Sequence, residues 1–229
     1  MKRITLFLLL AVGLMACEKS EKKNNALQVN PTSITCNSGD DTPITVADGA
    51  AFTIITADSC VAQPLEDGTG IRGFMVGQTV VTVTSNGKSA QIPVTVAPKI
   101  TEIKDPALLF GGSRQDVKDA MGEPKQTGTD NLYYDLTEDG SVYAAYKFED
   151  NKLTRIYVYP ETNEAIQTFY KYLNERYFIE VVNDKTAYYY NHFNVNYASL
   201  KVYLGYTDLG DDGFWFAEYR AFDPAHPYD

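Results

Sequence analysis

Few side chains in this 229-residue chain are of the kind that do chemistry: it holds three cysteines and two histidines. Zinc needs about four thiolate or imidazole donors at short spacings. Cys36 and Cys60 stand far from His192 and His226, and no spacing among them fits a zinc site. His192 ends an aromatic run and His226 lies in a proline-flanked tail, so both read as surface residues. No Gly-x-Ser-x-Gly elbow or phosphate-binding loop occurs. Asp208-Leu209-Gly210-Asp211-Asp212-Gly213 gathers carboxylates, but it lacks the alternating Asp spacing and the later bidentate Glu of a calcium loop. It reads as a hairpin turn. With 30 Asp and Glu, carboxylate pairs arise on the surface without catalysis. The formal net charge of −10 repels phosphate backbones, so nucleic acid is not an expected partner. The chain reads as non-catalytic, without metal or cofactor.

The cysteine with a clear chemical fate is Cys17. Lys2 and Arg3 precede an apolar run from Ile4 to Ala16, too short to span a bilayer, where about 20 residues are needed. It reads as a signal peptide over residues 1–16. Leu14-Met15-Ala16-Cys17 resembles the lipobox of bacterial lipoproteins. That resemblance implies cleavage before Cys17, a diacylglyceryl group on its sulfur and an acyl chain on its amine. Several chains give stable anchoring, each buried methylene contributing about 0.8 kcal/mol. Residues 18–25 contain no apolar side chain, so 17–25 reads as a lipidated tether. No aspartate follows Cys17, which favours the outer membrane and leaves its side open. Cys36 and Cys60 then remain in a compartment that permits disulfides. A bridge and two buried thiols are both open readings.

All 17 tyrosines lie at or after Tyr133, while residues 26–100 are rich in Thr, Val, Ala, Gly and Ser. This break sets two domains, 26–98 and 99–229. In the first, strands are expected at 33–36, 51–56, 79–84 and 90–96, with Asn86-Gly87 as a hairpin turn and Pro93 at an edge. Pro31-Thr32-Ser33-Ile34, then Ala57-Asp58-Ser59-Cys60-Val61-Ala62, then Gly70-Ile71-Arg72-Gly73 and Gly77-Gln78-Thr79-Val80-Val81, resemble the group 2 bacterial immunoglobulin-like family across 27–97. The family's tryptophan before Ser-Asp is absent. The resemblance implies an all-β immunoglobulin-like sandwich. A single copy between tether and second domain reads as a spacer.

The second zone is expected to be α+β, with helices packed on an antiparallel sheet. Ser113 and Asp116 have capping-box spacing ahead of a helix whose Val117, Ala120 and Met121 share a face. Gly122 and Pro124 end it. Strands are expected near 132–136, 141–148 and 153–159. A helix follows near 162–175 on Ile166, Phe169, Tyr170 and Leu173. Further strands are expected near 177–182, 186–193, 199–206 and 214–222. The order suggests a tandem helix–β-meander repeat. Gly111-Gly112-Ser113, Val117, Gly122-Glu123-Pro124, Leu132-Tyr133-Tyr134 and Phe148-Glu149-Asp150-Asn151-Lys152-Leu153 resemble the SmpA/OmlA outer-membrane lipoprotein family and the related β-lactamase-inhibitor-protein-like fold.

Alternation sorts the strands of this zone into two faces. Phe148, Ile156, Val158, Leu200, Val202 and Leu204 form the expected core set. Tyr143, Lys147, Arg155, Tyr157, Lys201 and Tyr203 fall opposite, a candidate binding face, because Tyr and Arg are enriched at interfaces. Cross-strand pairing alone also accounts for tyrosine there. The functional expectation is a membrane-anchored envelope lipoprotein that binds a protein or a glycan. The family resemblance implies an alternative, a structural accessory of an outer-membrane complex. The anchor has a direct check: the wild-type protein should take up a palmitate analogue and Cys17→Ser should not. An exported, unlabelled wild type would remove the lipid anchor from this account.

Overall fold

The computed structural model describes residues 26–47, 49–208 and 213–225. The signal peptide, Cys17, the tether, His226 and most of the acidic run after Asp208 lie outside the described residues. The described chain is rich in β-structure, with several sheets and two α-helices.

Residues 26–97 form nine strands: β1 (Val29–Asn30), β2 (Ile34–Asn37), β3 (Asp41–Pro43), β4 (Thr45–Val46), β5 (Thr53–Thr56), β6 (Ala62–Pro64), β7 (Gly70–Gly73), β8 (Gly77–Ser85) and β9 (Lys88–Ala97). They pair as β1-β4, β2-β9-β8-β5 and β3-β7-β6. Alternation on β8 and β9 turns Val81, Val83, Ile92, Val94 and Val96 inward, where they share a core with Ile34 of β2, Val46 of β4 and Ile71 of β7. The β8–β9 turn works as its residues require: Asn86 and Gly87 take φ of 50° and 71°. Pro93 falls just before β9 begins its parallel pairing with β2 at Val94, so only β8 runs past it. Gly70 is needed for packing. A Cβ there would come within 2.8 Å of the Pro43 Cα on the neighbouring strand.

The rest of the chain builds one eight-stranded antiparallel sheet. After α1 (Arg114–Met121) come β10 (Gln126–Thr127), β11 (Asn131–Asp135), β12 (Val142–Glu149) and β13 (Lys152–Pro160). After α2 (Asn163–Asn174) come β14 (Phe178–Asn183), β15 (Thr186–Tyr190), β16 (Leu200–Thr207) and β17 (Phe214–Ala221). Each set of four is a meander, and the two join where β13 pairs with β17, giving the order β10-β11-β12-β13-β17-β16-β15-β14. Ser113 and Asp116 close the capping box. The buried stripes differ in detail from those expected. On α1, Val117 and Met121 are buried while Ala120 is exposed. On α2 the stripe is Ala165, Phe169, Tyr172 and Leu173, with Tyr170 left 40% exposed. Tyr172 takes the inward place because its hydroxyl, at the far end of a buried ring, reaches the Asp105 carboxylate at 2.7 Å. These helix residues share one apolar cluster with Tyr146, Ile156, Val158, Val202, Leu204, Ala217 and Tyr219 of the sheet. All six residues of the expected core set lie in that cluster.

The two cores meet at the end of α2. Glu175 is 8% exposed, and its carboxylate accepts the Lys99 and Ile100 amides at 2.9 and 3.1 Å. Its backbone carbonyl accepts the Val76 amide at 2.8 Å. Arg176 donates to the same carboxylate at 2.5 Å, to Asp105 at 2.8 Å and to the Ile100 carbonyl at 3.3 Å, and its guanidinium lies 3.9 Å from the Tyr172 ring centroid. Beside this knot Phe74 stacks on Phe178 with centroids 5.1 Å apart. Removing one partner of a buried pair leaves an uncompensated charge, which costs about 3–5 kcal/mol. Arg176→Ala should therefore lower stability by about that much in denaturant titration. Arg176→Lys should recover only part, because an ammonium lacks the fork that reaches three acceptors. A change indistinguishable from zero for Arg176→Ala would mean that the knot contributes nothing.

Candidate functional site

The cross-strand register places the six candidate residues on one face. Ala145 of β12, Tyr157 of β13, Glu218 of β17, Tyr203 of β16 and Tyr188 of β15 stand in a row across five strands. Tyr143 and Lys147 are two residues either side of Ala145, Arg155 is two from Tyr157, and Lys201 two from Tyr203. All therefore point the same way. Side chains on the opposite face are buried in the core shared with the helices, while Tyr143, Lys147, Arg155, Tyr157 and Tyr203 are half-buried.

Their charges are already partnered. Lys147 pairs with Glu149 at 3.2 Å, and Arg155 pairs with Glu218 at 3.5 Å while donating to the Tyr157 hydroxyl at 3.4 Å. Lys201 differs from the other five. It is 8% exposed and sits 4.5 Å from the Tyr188 ring centroid and 5.8 Å from that of Phe222. Burial, together with the nearby Arg220, pushes its pKa down, and Glu180 and Glu218 pull against that shift. Its ammonium is covered by rings and does not lead the contact surface.

The aromatic content of the face is larger than the three tyrosines picked out by alternation. Tyr143 stacks on Tyr159 at 5.0 Å and 23°. Tyr159 lies 6.0 Å from Phe214 and 6.5 Å from Phe216. Phe216 lies 5.7 Å from Tyr203, and Tyr203 lies 5.4 Å from Tyr188. These centroid spacings are those at which rings attract, and they make one continuous row from β12 to β15. Gly205 lets the row close: a Cβ there would come within 2.5 Å of the Tyr203 ring, which lies over it. Tyr159 continues the alternation of Tyr157 by one step. Phe214 and Phe216 join only through the pairing of β17 with β13 and β16, which no local pattern announces. Burial, with neighbouring tyrosines adding to it, pushes the Tyr159 hydroxyl up to about 12. Burial also raises Tyr143. Both hydroxyls stay neutral and able to donate well above neutral pH.

A groove of about 850 Å³ runs along this face. Its origin is the row Tyr133–Ala145–Tyr157 on β11, β12 and β13. A methyl group stands between two tyrosine rings, so the surface dips there. The groove reaches Asn131 and Lys147 at one end and Glu161, Asn163 and Trp215 at the other.

The remaining chemistry-bearing residues lie elsewhere. Cys36 and Cys60 are free thiols, with no bridge formed between them. Burial raises both thiol pKa values, Cys36 further by Asp40, so neither has the lowered pKa of a reactive cysteine. His192 accepts the Asn194 amide at 2.9 Å on Nδ1 and packs against Phe193 at 4.6 Å, which makes it part of a loop scaffold. Asp208 pairs with Lys185 at 3.6 Å. Among the described residues no group of three or more His, Cys, Asp and Glu is placed to hold a metal.

No family model matches this chain, and no curated protein matches it in sequence. Among solved structures, domains 5–6 of the S-layer protein SbsC align over 87% of this chain and 84% of theirs, at 10% identity and a TM-score of 0.28. An extracellular protein containing an SCP domain from Bacillus anthracis aligns over 57% of this chain and 51% of its own, at 14% identity and a TM-score of 0.26. A cysteine-rich secretory protein from Staphylococcus aureus aligns over 56% and 54%, at 9% identity and a TM-score of 0.25. Similarity this slight carries no argument about the fold or the activity of this chain.

Proposed function

We propose that the protein is a lipid-anchored, non-catalytic binding lipoprotein of the bacterial outer membrane. In this reading residues 26–98 are an immunoglobulin-like spacer domain. Residues 99–229 are an α+β domain whose helices cover one sheet face and leave the other for a partner. The continuous row of half-exposed rings from Tyr143 to Tyr188 is the observation that carries it. Isolated cross-strand pairing needs rings in twos, whereas this row crosses five strands.

The placement of the ends supports the spacer role. Ala26 and Leu27, where the tether would join, lie beside Ser85, Asn86 and Lys88 at the turn of the β8–β9 hairpin. The other end of that hairpin leads to Lys99 and, through Val76, to Glu175. Ten residues of β9 separate the two ends, about 30 Å at the rise of an extended strand. In this reading the first domain is the spacer that can hold the second away from the lipid surface by up to its own length.

The test is capture from envelope extracts by the wild type and by the Tyr143/Tyr157/Tyr203 triple alanine variant. Each cross-strand ring contributes roughly 0.2–1 kcal/mol, so the variant should fold, checked by its circular dichroism and its melting transition. It should lose partner capture. Undiminished capture by a folded variant would reduce the ring row to packing.

A further inference from the structure

We infer that the groove over Ala145 is a site for a neutral oligosaccharide, an inference that rests on the binding role proposed for this face. Three features of the groove select that ligand class. Its walls are aromatic: Tyr143 and Tyr159 lie 23° from parallel with centroids 5.0 Å apart, each covering part of the other, and Phe214 beside them is 41% exposed. Such surfaces match the C–H faces of a pyranose ring and supply wide, rigid contact at little entropic cost. Its ends carry planar polar groups. Asn131, Asn163 and Glu161 line the groove, and the exposed Asn163 amide offers both donors and an acceptor. A sugar hydroxyl, which donates and accepts at once, needs such partners.

Charge excludes the competing small ligands. Among the described residues the groove's lining contains one cation, Lys147, already held by Glu149, and one anion, Glu161. These described residues carry no surplus positive charge with which to recognise a phosphate, sulfate or carboxylate, and the net charge of −10 repels polyanions. The volume, about 850 Å³, lies within the range of roughly 300–1,000 Å³ usual for small-ligand clefts. Its elongated course along β12 and β13, from Lys147 to Glu161, suits a chain of sugars better than a single one.

The molecule contains its own reporter, because Trp215 at the groove's end is its single tryptophan. The full chain, held in a detergent without a sugar headgroup, is titrated with short oligosaccharides of glucose, mannose, galactose, xylose and N-acetylglucosamine. A sulfated oligosaccharide is the charged control, and Trp215 fluorescence is followed. At least one neutral series should give a saturable change that the sulfated probe does not. Asn163→Ala, at an exposed position, should weaken it roughly tenfold. Ala145→Phe, which fills the dip and leaves Trp215 the single tryptophan, should abolish it in a protein whose melting transition shows it folded. Silence across the neutral series, or binding that survives Ala145→Phe in a folded protein, overturns the inference. If the neutral series is silent while the triple tyrosine variant still loses envelope capture, the saccharide falls and the binding face stands. If capture is also undiminished, both fall.

Discussion

A side chain on a β-strand can point to only one of two faces, and in the eight-stranded sheet those faces meet different surroundings. On one, Tyr146, Ile156, Val158, Val202 and Tyr219 are fully buried with Phe169, Tyr172 and Leu173 of α2. On the other, Tyr143, Tyr157 and Tyr203 are half-exposed. A slip of one residue would exchange the two sets, forcing Lys147 and Arg155 inward and turning the aliphatic residues out. Desolvating those charges costs far more than the pairing returns, so register and site are set by the same constraint. The turn between β12 and β13 reinforces it. Asp150 and Asn151 both take positive φ, the two-residue geometry that matches strand twist.

The junction at Glu175 obeys a different constraint. A carboxylate and a guanidinium with side chains 9% and 8% exposed lose most of their hydration. Such a pair persists only when further hydrogen bonds satisfy what the ion pair leaves over. Here the backbone supplies them, with the Lys99 and Ile100 amides on Glu175 and the Ile100 carbonyl on Arg176. The link between the two cores thus depends on direction as well as on apolar contact. Phe74 against Phe178 adds a stacked pair to the same place.

Local signals in the sequence were legible where the physics is local. The Asn86-Gly87 turn, the Ser113 cap and the alternation of β8, β9, β12, β13 and β16 depend on neighbours a few residues away. The short strands β1, β3, β4, β6 and β7 have no such pattern, since two to four residues cannot display a period. The strand expected to run through residue 193 stops at Tyr190, where the Asn191 side-chain Oδ1 accepts the Ser199 and Leu200 amides and ties the turn of the chain together. At the site, alternation along single strands reached the six residues it could see. It missed Phe214, Phe216 and Tyr188, which enter by pairing across the sheet. It also gave no hint that Lys201 would be covered by rings. Glu175 was invisible for the same reason: helix periodicity gives its direction, but its partners lie 75 and 76 residues away.

The functional reading stands on the contrast between the two tyrosine sets, one inside and one outside. Hydroxyl-radical footprinting of the native protein, with modification read residue by residue, measures that contrast directly. Tyr143, Tyr157, Tyr203 and Phe214 should be modified readily, and Tyr146, Tyr172, Tyr189 and Tyr219 should be protected until the protein unfolds. Equal protection of both sets would mean that the ring row is covered in the native protein. Preferential modification of the second set would mean that the two faces are reversed. Either result contradicts a sheet that turns its aromatic face to a partner.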